Sequence, residues 1–140
     1  MSTAFAPEIR PAEGYAGDIT ASDAWAWVQA GGAVLVDVRT DAEREWVGKV
    51  PGAVPVAWKQ WPGMAMNADF DAQLQAAVPA GGHVVLLCRS GVRSLAAARR
   101  ATQLGLQAYN ILEGFEGDVN AQGQRGHLGG WRKQGLPWTQ

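Results

Sequence analysis

Apolar residues along the chain gather into short runs separated by segments with helical spacing. The runs at 33–38 (interrupted by Asp37), 53–58, 83–87 and 107–112 are bounded by glycine, proline and polar residues. Runs this short predict strands, those at 33–38 and 83–87 buried and those at 53–58 and 107–112 short. Between them the pattern changes period. Thr20 or Ser22 can cap a helix whose apolar face is Ala24-Trp25-Ala26-Trp27-Val28, stopped by Gly31-Gly32. Thr40-Asp41-Ala42-Glu43 places a cap residue and acids at the start of a short helix through Trp46. A third helix starts at Asp69 or Asp71 and ends near Pro79-Ala80-Gly81-Gly82. A fourth runs from about Arg93 to Leu104, with Gly105 and Leu106 matching a glycine C-cap and its hydrophobic contact.

The remainder is turns and irregular chain. Residues 50–52 form a turn, 60–69 a surface loop, and 113–117 a turn or short helix. Residues 1–14 are expected as a loose arm. The glycine-rich stretch 120–130 is irregular, and 131–138 is expected to pack back on the body. Strands alternating with helices indicate the α/β class with a largely parallel sheet. No internal repeat or linker divides the chain, so residues 1–140 are read as one domain whose irregular tail is 120–140.

Composition changes this picture little. Hydrophobic residues make up 47%, charged residues 18%, and the formal net charge is −1. That balance points to no nucleic-acid or membrane partner. No apolar run approaches the ~18 residues of a membrane span, and the first 14 residues lack the pattern of a secretory signal. Seven tryptophans are many for this length; core and lid packing is the ordinary reading of them.

The single cysteine rules out an intrachain disulfide and a multi-cysteine zinc site, and suits a reducing compartment. The cytoplasm is therefore expected. No metal and no cofactor are implied. His83 and His127 have no neighbours that would make a metal site, and neither is assigned a catalytic role.

The position of that cysteine carries the chemistry. Cys88 ends the run 83–87, where the carboxyl end of a strand meets a loop and then a helix. Ligands of open α/β sheets bind beyond that edge. Unpaired N–H groups of a curled loop and of a helix start cradle anions. Gly91 permits the tight turn, and Arg89 and Arg93 add positive charge. All of these favour thiolate over thiol and make Cys88 a nucleophile for an anionic substrate. Ser90 and Ser94 offer hydroxyl donors, although Ser94 can equally cap the helix. Set against this is the ordinary role of a cysteine at a strand end, a small buried hydrophobe.

Cys88-Arg89-Ser90-Gly91-Val92-Arg93-Ser94 resembles the active-site loop of the rhodanese (thiosulfate sulfurtransferase) family, single-domain bacterial type. Leu35-Val36-Asp37-Val38-Arg39 resembles its first strand motif. The segment Glu45-Trp46-Val47-Gly48-Lys49-Val50-Pro51-Gly52-Ala53 resembles its Glu-aromatic-x-x-Gly-His-Ile-Pro-Gly-Ala stretch, with Lys49 in place of histidine. Asn110-Ile111-Leu112-Glu113-Gly114-Phe115 resembles its last strand and turn. The resemblance implies a mostly parallel five-stranded sheet with helices on both faces. It implies a Cys88 persulfide formed from thiosulfate or a similar anionic donor. Backbone N–H groups of Arg89, Ser90, Gly91, Val92, Arg93 and Ser94 would hold the anion. Arg93 would fix the loop and help bind the donor, while Arg89 would face the entering substrate. Asp37 and Arg39 would support the loop by hydrogen bonds.

With no second cysteine, the chain cannot resolve a persulfide as an internal disulfide. The acceptor must be cyanide, an external thiol or a thiol protein. Two rival readings remain. Cysteine-dependent phosphatases and arsenate reductases use a similar loop, but phosphatases have five residues between cysteine and arginine where four separate Cys88 from Arg93. A non-catalytic, regulatory rhodanese-like module is the other rival, and it typically lacks the cysteine.

Overall fold

The computed structural model describes residues 5–140. In chain order the elements are β1 (Gly17–Ile19), α1 (Ala21–Gln29), β2 (Val34–Asp37), α2 (Asp41–Trp46), β3 (Val54–Pro55), β4 (Lys59–Gln60), β5 (Ala65–Met66), α3 (Phe70–Ala77), β6 (His83–Leu87), α4 (Val92–Gln103) and β7 (Gln107–Ile111). Five strands form one sheet in the order β1-β7-β6-β2-β3, and every neighbouring pair is parallel. The α/β class and the five-stranded sheet are as expected.

Side chains alternate across the sheet and build two cores. Val36, Val84, Leu86 and Ala108 face α3 and α4, packing on Phe70, Leu74, Ala97, Ala98 and Ala101. Leu35, Val85, Leu87, Tyr109 and Ile111 face the other way, onto Ala21, Ala24 and Trp27 of α1 and onto Phe115 and Trp131. Helices therefore cover both faces, which is why β6 reads as an unbroken apolar run rather than an alternating one. Each fully buried leucine or isoleucine in these layers contributes about 1.5–3 kcal/mol.

The local signals for helix ends hold. Thr20 caps α1 by accepting from the Asp23 N–H at 3.2 Å. Thr40 and Glu43 form a reciprocal capping box at α2. After α4, Gly105 takes φ +89°, and the Leu106 N–H reaches back to the Ala101 carbonyl at 3.1 Å.

Four expectations are corrected. β1 has no apolar run to announce it; it exists because Gly17, Asp18 and Ile19 pair in register with Tyr109, Asn110 and Ile111. The arm before it is tied down in its described part, since Arg10 and Asp18 exchange backbone hydrogen bonds of 2.9 and 2.8 Å, while residues 1–4 lie outside the described residues. The strand expected over 53–58 narrows to Val54–Pro55, where Pro55 has no N–H for a ladder. The expected loop 60–69 contains an antiparallel ribbon, β4 with β5. In the tail, Trp131 is fully buried and its indole N–H donates to the Pro137 carbonyl at 2.8 Å.

Candidate active site

Cys88 is the first residue past β6, at the carboxyl edge of the sheet. One of its contacts is fixed by the loop itself. Gly91, the N-cap of α4, sits at φ +110°. A Cβ there would meet nothing closer than 3.8 Å, so the demand for glycine is one of backbone conformation. In this turn the Gly91 N–H donates to Cys88 Sγ at 3.0 Å. The first N–H groups of α4 open at the same place, with no capping side chain to occupy them.

The loop is clamped from below. The Phe115 N–H donates to the Cys88 carbonyl at 2.8 Å and the Glu116 N–H to the Arg89 carbonyl at 2.9 Å. Gly114 makes this approach possible: at φ +62°, a Cβ would lie 2.5 Å from the Cys88 carbonyl oxygen.

Cys88, Arg89, Ser90, Val92, Arg93 and Arg125 line a cavity of about 300 Å³. A neighbouring cavity of about 410 Å³ shares Arg89 and Arg93 and adds Thr40, Ala42, Glu43, Trp61 and Met64. Three arginines and one cysteine therefore meet in one recess. Arg125 comes from the glycine-rich tail and is an arginine that the sequence pattern did not single out. Among the described residues, no three His, Cys, Asp or Glu side chains gather as a metal would need.

Arg93 is braced by a partner the sequence reading missed. Its Nη1 and Nη2 donate to Glu43 Oε1 and Oε2 at 2.7 and 2.8 Å, the bidentate geometry that suits guanidinium and carboxylate. Burial on its own would push the Glu43 carboxyl up. The hydrogen bonds and charge of Arg93, with bonds from Thr40, outweigh it and hold the group down at about 2. The one available signal for Glu43 was its place in the capping box. That box fixes the carboxylate beside Thr40 and so aims it at the loop.

Ser94 is fully buried and is not the helix cap. Its Oγ lies 3.2 Å from Cys88 Sγ and donates to Asn110 Oδ1 at 2.5 Å. Asn110 Nδ2 donates to Asp18 Oδ1 at 3.3 Å, and the same oxygen accepts from the Tyr15 hydroxyl at 2.7 Å. Burial, and then Asp18, push the Tyr15 phenol up to about 12, so it stays a donor.

Asp37 and Arg39 are both fully buried. Their expected hydrogen bonds to the loop are not made. Arg39 donates to Asp37 Oδ1 and Oδ2 and to the Gly48 carbonyl, and Arg44 approaches Asp37 at 3.3 Å. Arg39 Nη1 has no acceptor among the described residues. Its guanidinium instead covers the Phe115 ring at 4.2 Å. The pair thus supports the clamp under Cys88 through packing.

The chain is similar to known proteins over most of its length. Residues 20–121 match the family model described as a rhodanese-like domain. An uncharacterized protein of Rickettsia conorii is 38% identical over 111 residues, covering 76% of this chain and 82% of that protein. The thiosulfate sulfurtransferase GlpE of Actinobacillus succinogenes is 29% identical over 121 residues, covering 86% of this chain and 87% of that protein. A crystal structure of a protein from M. tuberculosis superposes with a TM-score of 0.82 at 45% identity, covering 90% of this chain and 98% of that one.

Proposed function

The chain belongs to the rhodanese-like domain family, and from that premise we propose that it is a sulfurtransferase carrying a sulfane sulfur on Cys88. One observation carries the reading. The only cysteine of the chain lies in a cavity bordered by Arg89, Arg93 and Arg125, with the Gly91 N–H already directed at its sulfur. A thiolate there is stabilised by that N–H and by the arginine charges, and an anionic donor is drawn to the same groups.

The Cys88 thiolate attacks the outer sulfur of thiosulfate. A bond forms between Sγ and that sulfur. The S–S bond of the donor breaks, and its electron pair leaves on sulfite. An acceptor thiolate or cyanide then attacks the outer sulfur of the persulfide. The Sγ–S bond breaks and its electrons return to Cys88 as thiolate. The products are an acceptor persulfide or thiocyanate. Arg93, braced by Glu43, holds the loop closed on this chemistry and faces the donor together with Arg89. The acceptor comes from outside, because no second cysteine is present. The reading assigns one domain over residues 1–140 and a reducing, cytoplasmic setting. No described helix is long and apolar enough to cross a membrane.

The test is sulfur transfer from thiosulfate to cyanide, run beside hydrolysis of a phosphate ester. Thiocyanate formation that depends on Cys88 is expected. Ester hydrolysis without thiocyanate would replace this reading with a phosphatase. Neither activity from folded protein would favour a binding module.

A further inference from the structure

Behind Cys88 a row of polar groups leads away from the cavity: Ser94 and Asn110, both buried, then half-buried Asp18 and the hydroxyl of Tyr15. Asp18 and Asn110 stand opposite each other in the β1–β7 register, and Ser94 sits in the first turn of α4 above them. The direction of every proton in this row follows from donor and acceptor chemistry. An ionised Asp18 only accepts, so the Asn110 amide must turn its Nδ2 toward it. Asn110 Oδ1 then faces Ser94 and only accepts. Ser94 has a single hydroxyl proton, and that proton goes to Asn110 at 2.5 Å. What Ser94 presents to Cys88 Sγ at 3.2 Å is therefore a lone pair.

We propose that Asn110, oriented by Asp18, is a positioning residue that makes Ser94 present a hydrogen-bond acceptor, not a donor, to Cys88 Sγ. This differs from the role of hydroxyl donor that the sequence suggests for Ser94. Two opposed contacts then act on Sγ. The Gly91 N–H favours thiolate, and the Ser94 lone pair favours thiol. Other charged or titratable groups around Cys88 are Arg89, Arg93 and Arg125 on the cavity wall, Glu43 paired to Arg93, and Asp37 paired to Arg39 on the adjacent strand. Substitutions at Ser94 and Asn110 leave all of these in place. The direction of change therefore reports the hydroxyl.

The inference rests on Cys88 being the reacting group, but its test needs no sulfur donor. Alkylation of Cys88 by iodoacetamide is followed against pH in the wild type, Ser94→Ala, Asn110→Ala and Asp18→Asn. Ser94→Ala removes the acceptor and is expected to shift the alkylation profile to lower pH. Below the wild-type midpoint, the rate should rise by about fivefold, the scale of one hydrogen bond. Asn110→Ala frees the Ser94 proton to donate to the thiolate, so its shift is expected in the same direction and larger. Asp18→Asn weakens the hold on the Asn110 amide and also removes a negative charge, and both move the profile the same way, so it is read only beside the other two variants; Ser94→Ala keeps the test open if Asn110→Ala fails to fold. A shift of Ser94→Ala to higher pH overturns the proposal by showing Ser94 to be a donor. Unchanged profiles in folded Asn110→Ala or Asp18→Asn overturn it too. Because thiosulfate takes no part, either result stands whatever the sulfur-transfer assay shows.

Discussion

Two arginine–carboxylate pairs flank the loop that holds Cys88, and they do different work. Asp37 and Arg39 are two residues apart at the end of one strand, and both side chains are 0% exposed. Glu43 and Arg93 are fifty residues apart, join α2 to α4, and remain 20% and 15% exposed. The chemistry of the partners is the same in each. Burial separates them. A pair removed from water is frame, because losing one partner strands a charge in the interior. A pair at a cavity wall leaves a guanidinium near an incoming anion, where it can serve both loop and ligand. Both connect to Cys88, the first from below through Phe115 and the second from above through the first turn of α4.

The largest effect expected from this contrast is Asp37→Ala. It leaves Arg39 without its carboxylate and is expected to cost about 3–5 kcal/mol of stability, read by denaturant unfolding. Arg93→Ala is expected to cost less, roughly 1–2 kcal/mol for the unpaired Glu43, yet to lose sulfur transfer by at least about tenfold in protein that is still folded. Equal stability losses in the two variants would dissolve the distinction. Near-normal transfer by folded Arg93→Ala would remove Arg93 from the site.

A pH series sharpens the same comparison. The folded-state carboxyl of Glu43 is lowered from 4.5 to about 2. Its contribution to stability is therefore complete above the unfolded value and is lost as pH falls from about 4.5 through about 2. That loss should be on the order of 2–3 kcal/mol and should vanish from the pH dependence of Glu43→Gln. The smallest effect belongs to a third pair, Asp71 with Arg100, whose side chains are 42% and 41% exposed. Arg100→Ala is expected to leave the unfolding midpoint unchanged, since solvent screens such a pair.

How much of this was legible in the chain follows from range. The apolar runs gave the three central strands because those strands are buried on both faces and must be apolar whatever their neighbours. Thr20, Thr40, Glu43 and Gly105 gave helix ends because capping is local. β1 was hidden because Gly17 and Asp18 carry no apolar signal and join the sheet only through a strand some ninety residues away. The loop residues Cys88, Gly91 and Arg93 were readable from spacing within one segment. The groups that Glu43, Asn110 and Arg125 bring to the loop were not, since each comes from a different element, and Asp18 acts one step further away through Asn110. Asp37 and Arg39 stand out as a motif within one segment, but that Arg39 bonds Asp37 and the Gly48 carbonyl rather than the loop depends on packing that spacing does not show.

The most direct test of the central claim is the mass of the protein after exposure to thiosulfate, with the peptide bearing Cys88 measured separately. The account predicts a gain of one sulfur atom on Cys88, removed by cyanide and absent from Cys88→Ala. Folded wild-type protein that gains no sulfur, or a gain that survives in Cys88→Ala, would contradict it.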